Sequence, residues 1–152
     1  MEGITLVVSP IIALMKDQVD ALLANGIPAA FINSSLSNAE IEEIKDELTR
    51  GEIKLLYIAP ERLALLDFKL FLKELPIALI AIDEAHCISE WGHEFRPDYR
   101  NLQHCKQILF PDVPIIALTA TATPKVKEDI ISQLHLPSPK VFLSSFDRPN
   151  LF

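Results

Sequence analysis

Six consecutive apolar residues, Ile77-Ala78-Leu79-Ile80-Ala81-Ile82, run directly into Asp83-Glu84-Ala85-His86. A short apolar run of this kind reads as a strand buried on both faces, as an inner strand of a parallel sheet is. Such a strand delivers whatever follows it to a fixed place, the carboxyl edge of the sheet, where open α/β folds hold their ligands. Successive side chains leave a strand on opposite sides, so Asp83 and Glu84 are expected to do different jobs. The plain alternative is a strand that ends in a polar turn, and the acid pair taken alone favours that alternative.

Strand-like and helix-like segments alternate along the chain. Short apolar runs at Ile4–Val8, Ala29–Ile32, Leu55–Ile58, Ile77–Ile82, 115–119 and 141–146 read as six strands. Between them lie helix signals. Ser9-Pro10 reads as an N-cap with a first-turn proline, followed by an apolar face of Ile12, Met15, Val19, Leu22 and Leu23 that Gly26 closes. Ser37 with Glu40 forms a capping box ahead of Ile41, Ile44 and Leu48, and Gly51 is the stop. Pro60 opens a short helical segment, residues 99–109 read as a helix, and Thr123-Pro124 caps a helix burying Val126, Ile130, Ile131 and Leu134. The alternation predicts an α/β fold, a doubly wound parallel sheet with helices on both faces.

With 152 residues, 49% of them hydrophobic, the chain can bury one substantial core. No apolar run is long enough to cross a bilayer, and Met1-Glu2-Gly3 lacks the basic start of a signal peptide. Cys87 and Cys105 are read as reduced thiols of a cytoplasmic protein. The net charge of −7 argues against strong phosphate-driven binding of nucleic acid by this chain alone. Any such contact must be local, or shared with a more basic neighbour.

The connection after the acid pair is unusual. From His86 to Arg100 it holds the only tryptophan, Trp91, with Phe95, Tyr99, Arg96, Arg100 and two histidines. Aromatic rings beside arginines in a loop make a stacking platform for unpaired bases. Phe95 and Tyr99 equally suit rings that fold back on the core, whereas Trp91, next to a glycine and flanked by charges, suits an exposed role. The strand-to-helix turn at Ser9 and Pro10 places backbone N–H groups where a phosphate can sit, with Lys16 adding polar reach; an ordinary capped helix explains it as well. Arg62, after the Ala59-Pro60 turn, suits either a salt bridge with Glu61 or a backbone phosphate. Thr119, Thr121 and Thr123 recur at alternate positions; capping accounts for Thr123 and leaves Thr119 and Thr121 for a relay between two sites. A zinc site from Cys87, His93, His104 and Cys105 is disfavoured, because the spacing matches no usual finger.

Together these motifs resemble the first motor domain of the RecQ family of superfamily 2 DNA helicases. Ser-Pro-Ile-Ile-Ala-Leu-Met-Lys-Asp-Gln-Val, from Ser9, resembles motif Ia, and Ala-Pro-Glu-Arg-Leu at 59–63 the motif Ib region. Asp-Glu-Ala-His at 83–86 resembles the Walker B box, residues 86–100 the family's aromatic-rich loop, and Ala-Leu-Thr-Ala-Thr-Ala at 117–122 motif III. The acid box alone is only moderately specific. Followed by Cys-Ile-Ser-Glu-Trp-Gly-His-Glu-Phe-Arg-Pro it is very specific.

The resemblance implies a RecA-like fold over residues 1–146, with 147–152 starting a linker to a second RecA-like domain. It implies an ATP-dependent 3′–5′ DNA helicase of repair and recombination, acting on single-stranded and duplex DNA. Asp83 would hold Mg²⁺, through water, and Glu84 would orient the hydrolytic water. His86 would couple the nucleotide and DNA sites, with Thr119 and Thr121 linking them. Trp91, Phe95 and Arg96 would sense single-stranded DNA, and Ser9, Pro10, Lys16 and Arg62 would lie along its track.

None of the four glycines, Gly3, Gly26, Gly51 and Gly92, belongs to a G-x-x-x-x-G-K-[ST] phosphate cradle. In the family that cradle is expected upstream of Met1, its strand lying inside the sheet. The expectations are therefore a sheet lacking the N-terminal P-loop strand, an open side beside the motif III strand, self-association through it, and inactivity of the chain alone. Two other classes stay open: a binding or regulatory module of helicase descent without hydrolysis, and an unrelated α/β enzyme using Asp83, Glu84 and His86 as metal ligands.

Overall fold

Strands β1 (Ile4–Val8), β2 (Ala29–Ile32), β3 (Leu55–Ile58), β4 (Ile77–Ile82) and β5 (Ile115–Ala117) pair in parallel in the order β2-β3-β1-β4-β5. The computed structural model describes residues 3–92, 94–120, 123–134 and 136. The helices are α1 (Ile12–Ala24), α2 (Asn38–Thr49), α3 (Leu66–Lys73), α4 (Arg100–His104) and α5 (Pro124–Gln133). Short 3-10 turns occupy Pro60–Ala64, Ala85–Ile88 and Pro97–Tyr99, and α4 runs on as a wider turn over Cys105–Leu109. The sixth strand expected at 141–146 and the linker at 147–152 lie outside the described residues.

The register divides the sheet into two unequal faces. Leu6 lies beside Leu56 and Ile80, and Val8 beside Ile58 and Ile82. All six are buried. On the other face Val7 lies beside Tyr57 and Ala81, and Ala81 beside Ile116. The first three are half-buried, and Ile116 is 45% exposed. The crossovers explain the difference. The chain steps from β1 to β2 in one direction, then from β2 to β3, β3 to β4 and β4 to β5 in the other. Right-handed connections then put α1 on one face and α2, α3 and α4 on the opposite one. The β4 run, expected to be buried on both faces, is therefore fully buried on one and half-buried on the other.

Local signals behave unevenly. The capping box on α2 forms: Ser37 Oγ accepts from the Glu40 N–H at 3.2 Å, and Glu40 Oε1 from the Ser37 N–H at 2.9 Å. Thr123 Oγ1 accepts from the Val126 N–H at 3.2 Å and caps α5. Ser9 does not cap α1. Its N–H donates to the Ile58 carbonyl at 3.0 Å, which continues the ladder, and the helix begins only at Ile12. Of the expected α1 stripe only Met15 and Val19 are buried, and Leu23 is 51% exposed. β5 ends at Ala117, two residues short of expectation, although Leu118 still bonds to the Ile82 carbonyl and the Ala85 N–H beyond it. Helix α3, which no capping signal announces, buries Phe68 and Leu72.

The two faces differ in what a truncation costs. Leu6→Ala should destabilise the fold by about 2–5 kcal/mol, as large-to-small changes in a closed core do. Its neighbour Val7→Ala, on the half-covered face, should cost about 1 kcal/mol. Urea denaturation of both variants checks the asymmetry, and equal losses would refute it.

Candidate functional site

The site is built where β4 ends. The Asp83 N–H still donates to the Val8 carbonyl at 2.9 Å, so the strand geometry persists to the first acid. Asp83 Oδ1 accepts the next N–H, that of Glu84, at 3.0 Å. Glu84 adopts the left-handed conformation, φ 52° and ψ 45°, and is the only non-glycine residue with positive φ among the described residues. That conformation costs an L-residue roughly 1–2 kcal/mol. It turns the chain off the strand so that the two carboxylates diverge at the carboxyl edge of the sheet.

The turn Ala85–Ile88 is buried throughout and is held by the strand-like segment after β5. Leu118 donates its N–H to the Ile82 carbonyl at 2.8 Å and accepts from the Ala85 N–H at 2.9 Å. These bonds place His86 beside Thr119. His86 Nδ1 lies 2.6 Å from Thr119 Oγ1, and Nε2 lies 2.9 Å from Glu94 Oε2 and 3.5 Å from Glu84 Oε2. A carboxylate only accepts, so Nε2 carries the proton; in the neutral ring Nδ1 then accepts from the threonine hydroxyl. One buried imidazole thus touches the second acid, the segment after β5 and the aromatic loop.

The loop is anchored at its base and open at its tip. The Arg96 N–H donates to the Cys87 carbonyl at 2.9 Å. Tyr99 is fully buried, and its hydroxyl donates to the Asp83 carbonyl at 2.8 Å. Burial pushes the Tyr99 phenol far above its ordinary range, so it stays a donor. Trp91, by contrast, is 64% exposed. Its ring lies under the ammonium of Lys125, which is 3.4 Å from the ring centroid. Phe95 is half-buried beneath the Arg100 guanidinium, 5.3 Å from its centroid, and Arg100 is also ion-paired with Glu90. Arg96 is exposed.

Other expected residues gather at the same edge. Ser9 follows β1 and is buried, its Oγ accepting from the Ile11 N–H at 3.4 Å; Pro10 beside it is half-buried. The turn Pro60–Ala64 follows β3 and packs on the turn Pro97–Tyr99. Arg62 in it lies over the Phe68 ring at 5.8 Å. Lys16 sits further along α1, exposed and paired with Asp20 at 2.7 Å. Thr121 and His93 lie outside the described residues.

As for metals, Asp83 and Glu84 offer the hard carboxylate oxygens that Mg²⁺ prefers, on the rim of the sheet. His86, Cys87 and Glu94 also bring ligand atoms within 4.8 Å of one another. Burial pushes the Cys87 thiol up, away from the thiolate that a soft metal requires. Cys105, in the turn after α4, is buried and pushed up to about 11, and His104 is exposed.

Three contributors escape a reading of the sequence. Glu94 lies in the loop already singled out, yet nothing local says which acid meets His86. Tyr99 reads as a core ring, and its hydroxyl bond to motif backbone has no sequence mark. Lys125 carries no local signal at all.

The model of the DEAD/DEAH box helicase family matches residues 1–130. The chain belongs to the DEAD/DEAH box helicase family, and its parallel sheet with the acid box at the rim agrees with that. Its relatives in sequence include RecQ helicases. The ATP-dependent DNA helicase RecQ of Pasteurella multocida is 51% identical over 150 residues, covering 99% of this chain and 24% of that protein. RecQ of Bacillus subtilis is 53% identical, covering 99% of this chain and 25% of that protein. The RecQ-like DNA helicase BLM of Xenopus laevis is 44% identical, covering 98% and 11%. The chain thus spans about a quarter of the bacterial relatives' length. The helicase domain of Hef from Pyrococcus furiosus is similar at TM-score 0.60 and 21% identity, covering 88% of this chain and 28% of that one, which shows the RecA-like fold.

The left-handed turn at Glu84 gives a measurable signature. Glu84→Gly should be more stable than Glu84→Ala by about 1 kcal/mol, because both lose the carboxylate and only glycine escapes the steric cost. Equal melting transitions for the two would show that the turn is not strained.

Proposed function

We propose that this chain is the part of an ATP-dependent 3′–5′ DNA helicase motor that carries the hydrolytic acids and links them to single-stranded DNA. The observation that supports this reading best is His86, with one ring nitrogen 2.6 Å from Thr119 and the other 2.9 Å from Glu94. A nucleotide-facing acid box and a base-facing loop then share one side chain. Asp83 is assigned to Mg²⁺ and Glu84 to the attacking water; when bound, Mg²⁺ would neutralise the developing charge on the phosphates of ATP. Trp91, Phe95 and Arg96 face unpaired bases, with Ser9, Pro10, Lys16 and Arg62 along the backbone track. Thr119 and Thr121 connect the two sites. The setting is cytoplasmic, or nuclear in a eukaryote, and the substrates are single-stranded and duplex DNA.

The chain contains no glycine-rich phosphate cradle. The same reading therefore assigns the cradle and the arginine finger to other parts of a complete motor, the latter to a second RecA-like domain. A second reading, a binding module without hydrolysis, is favoured by that sequence feature alone. The half-covered face and the edge at β5, where Ile116 is 45% and Leu118 50% exposed, support self-association of the isolated chain.

Trp91 is the only tryptophan, so its fluorescence reports this loop alone. Oligo(dT) should change its emission saturably at low salt, and an unresponsive indole would overturn the assignment of the loop to DNA. The purified chain should release phosphate from ATP no faster than background, with or without DNA. DNA-stimulated turnover would overturn the assignment of the cradle to another segment.

A further inference from the structure

We propose that Lys125 is a nucleic-acid contact, forming with Trp91 a composite surface in which the indole takes a base and the ammonium takes the neighbouring phosphate. This inference rests on the reading that the aromatic loop meets single-stranded DNA, and it adds helix α5 to that interface.

The geometry is specific. The Lys125 ammonium lies 3.4 Å from the Trp91 ring centroid, well inside the roughly 6 Å reach of a cation–π contact. It covers one face of the indole, yet the residue stays 64% exposed, so the opposite face is open for stacking. Stacking on a ring is tolerant of sequence because every base has a π-face. A ring attracts a cation without neutralising it, so the charge remains available to an anion. Arg100, in contrast, is held by the Glu90 carboxylate.

The helix dipole gives no reason for a lysine here. Lys125 lies in the first turn of α5, which holds no acidic residue. A cation there opposes the helix dipole. Asp129, one turn further on, accepts instead from Gln133 Nε2 at 3.4 Å. In a chain of net charge −7, binding of a polyanion depends on local cations such as this one.

The test uses the 152-residue chain, its single tryptophan and oligo(dT) at several salt concentrations. Lys125→Ala should keep a saturable Trp91 response while losing up to about tenfold in affinity at roughly 50 mM salt. Its plot of log affinity against log salt should be shallower by about 0.7, one single-strand phosphate contact. Lys125→Arg should restore both. Unchanged affinity and slope in Lys125→Ala, with the indole still responding, would overturn this proposal and leave the loop's assignment to DNA standing. No indole response in the unaltered chain would overturn both.

Discussion

A buried imidazole with both nitrogens engaged ties together three stretches of chain that are distant in sequence. His86 meets Thr119 on one side and Glu94 and Glu84 on the other. Hydrogen bonds of this kind contribute about 1 kcal/mol each in water, and more where one partner is charged and the site is shielded. Their importance lies in geometry more than in stability. The backbone bonds of Leu118 to Ile82 and Ala85 set the register that brings Thr119 to the ring. Without that short extension of the sheet, the acid box and the segment after β5 would share an edge but no contact.

The asymmetry of the sheet follows from connection order. Of the helices that connect strands, α2, α3 and α4 on one face close a core around Leu6, Leu56, Ile58, Ile80 and Ile82. One helix on the other leaves Val7, Tyr57 and Ala81 half-covered and β5 with a single strand neighbour among the described residues. Ile116 on this strand and Leu118 just beyond it present apolar surface, which soluble proteins ordinarily cover at a sheet edge. The open side lies next to the carboxyl rim that bears Asp83.

Period and punctuation made most of the fold legible. β1 to β4 are read off apolar runs at the residues where they stand, because a buried strand in a parallel sheet must be apolar. The Ser37 and Thr123 caps are read correctly because a cap is a local contract between a side chain and an N–H three residues away. Ser9 fails for an instructive reason. The same hydroxyl-proline signal was overridden by a tertiary demand, the ladder bond to Ile58, and the helix starts later. At the site, the acid pair, His86 and Trp91 stand out by residue type and spacing. Glu94, Tyr99 and Lys125 do not, since each acts through a partner that only the fold supplies.

On the proposed function, coupling between base binding and the acids requires an element with two arrangements that DNA can bias. The proposed function assigns that part to the loop between Ser89 and Arg96. Its base is fixed by buried contacts, the Arg96 N–H on Cys87 and the Tyr99 hydroxyl on Asp83. Its tip is held by exposed interactions, Lys125 over Trp91 and Glu90 with Arg100, which are individually weak in water. A ligand that stacks on Trp91 competes with those weak ties. On that reading, Glu94 offers a route from the tip to the acids, because its carboxylate sits on the same Nε2 that faces Glu84. Moving Glu94 changes the charge beside the imidazole, and therefore the field at the neighbouring acid, without disturbing the core that holds Asp83.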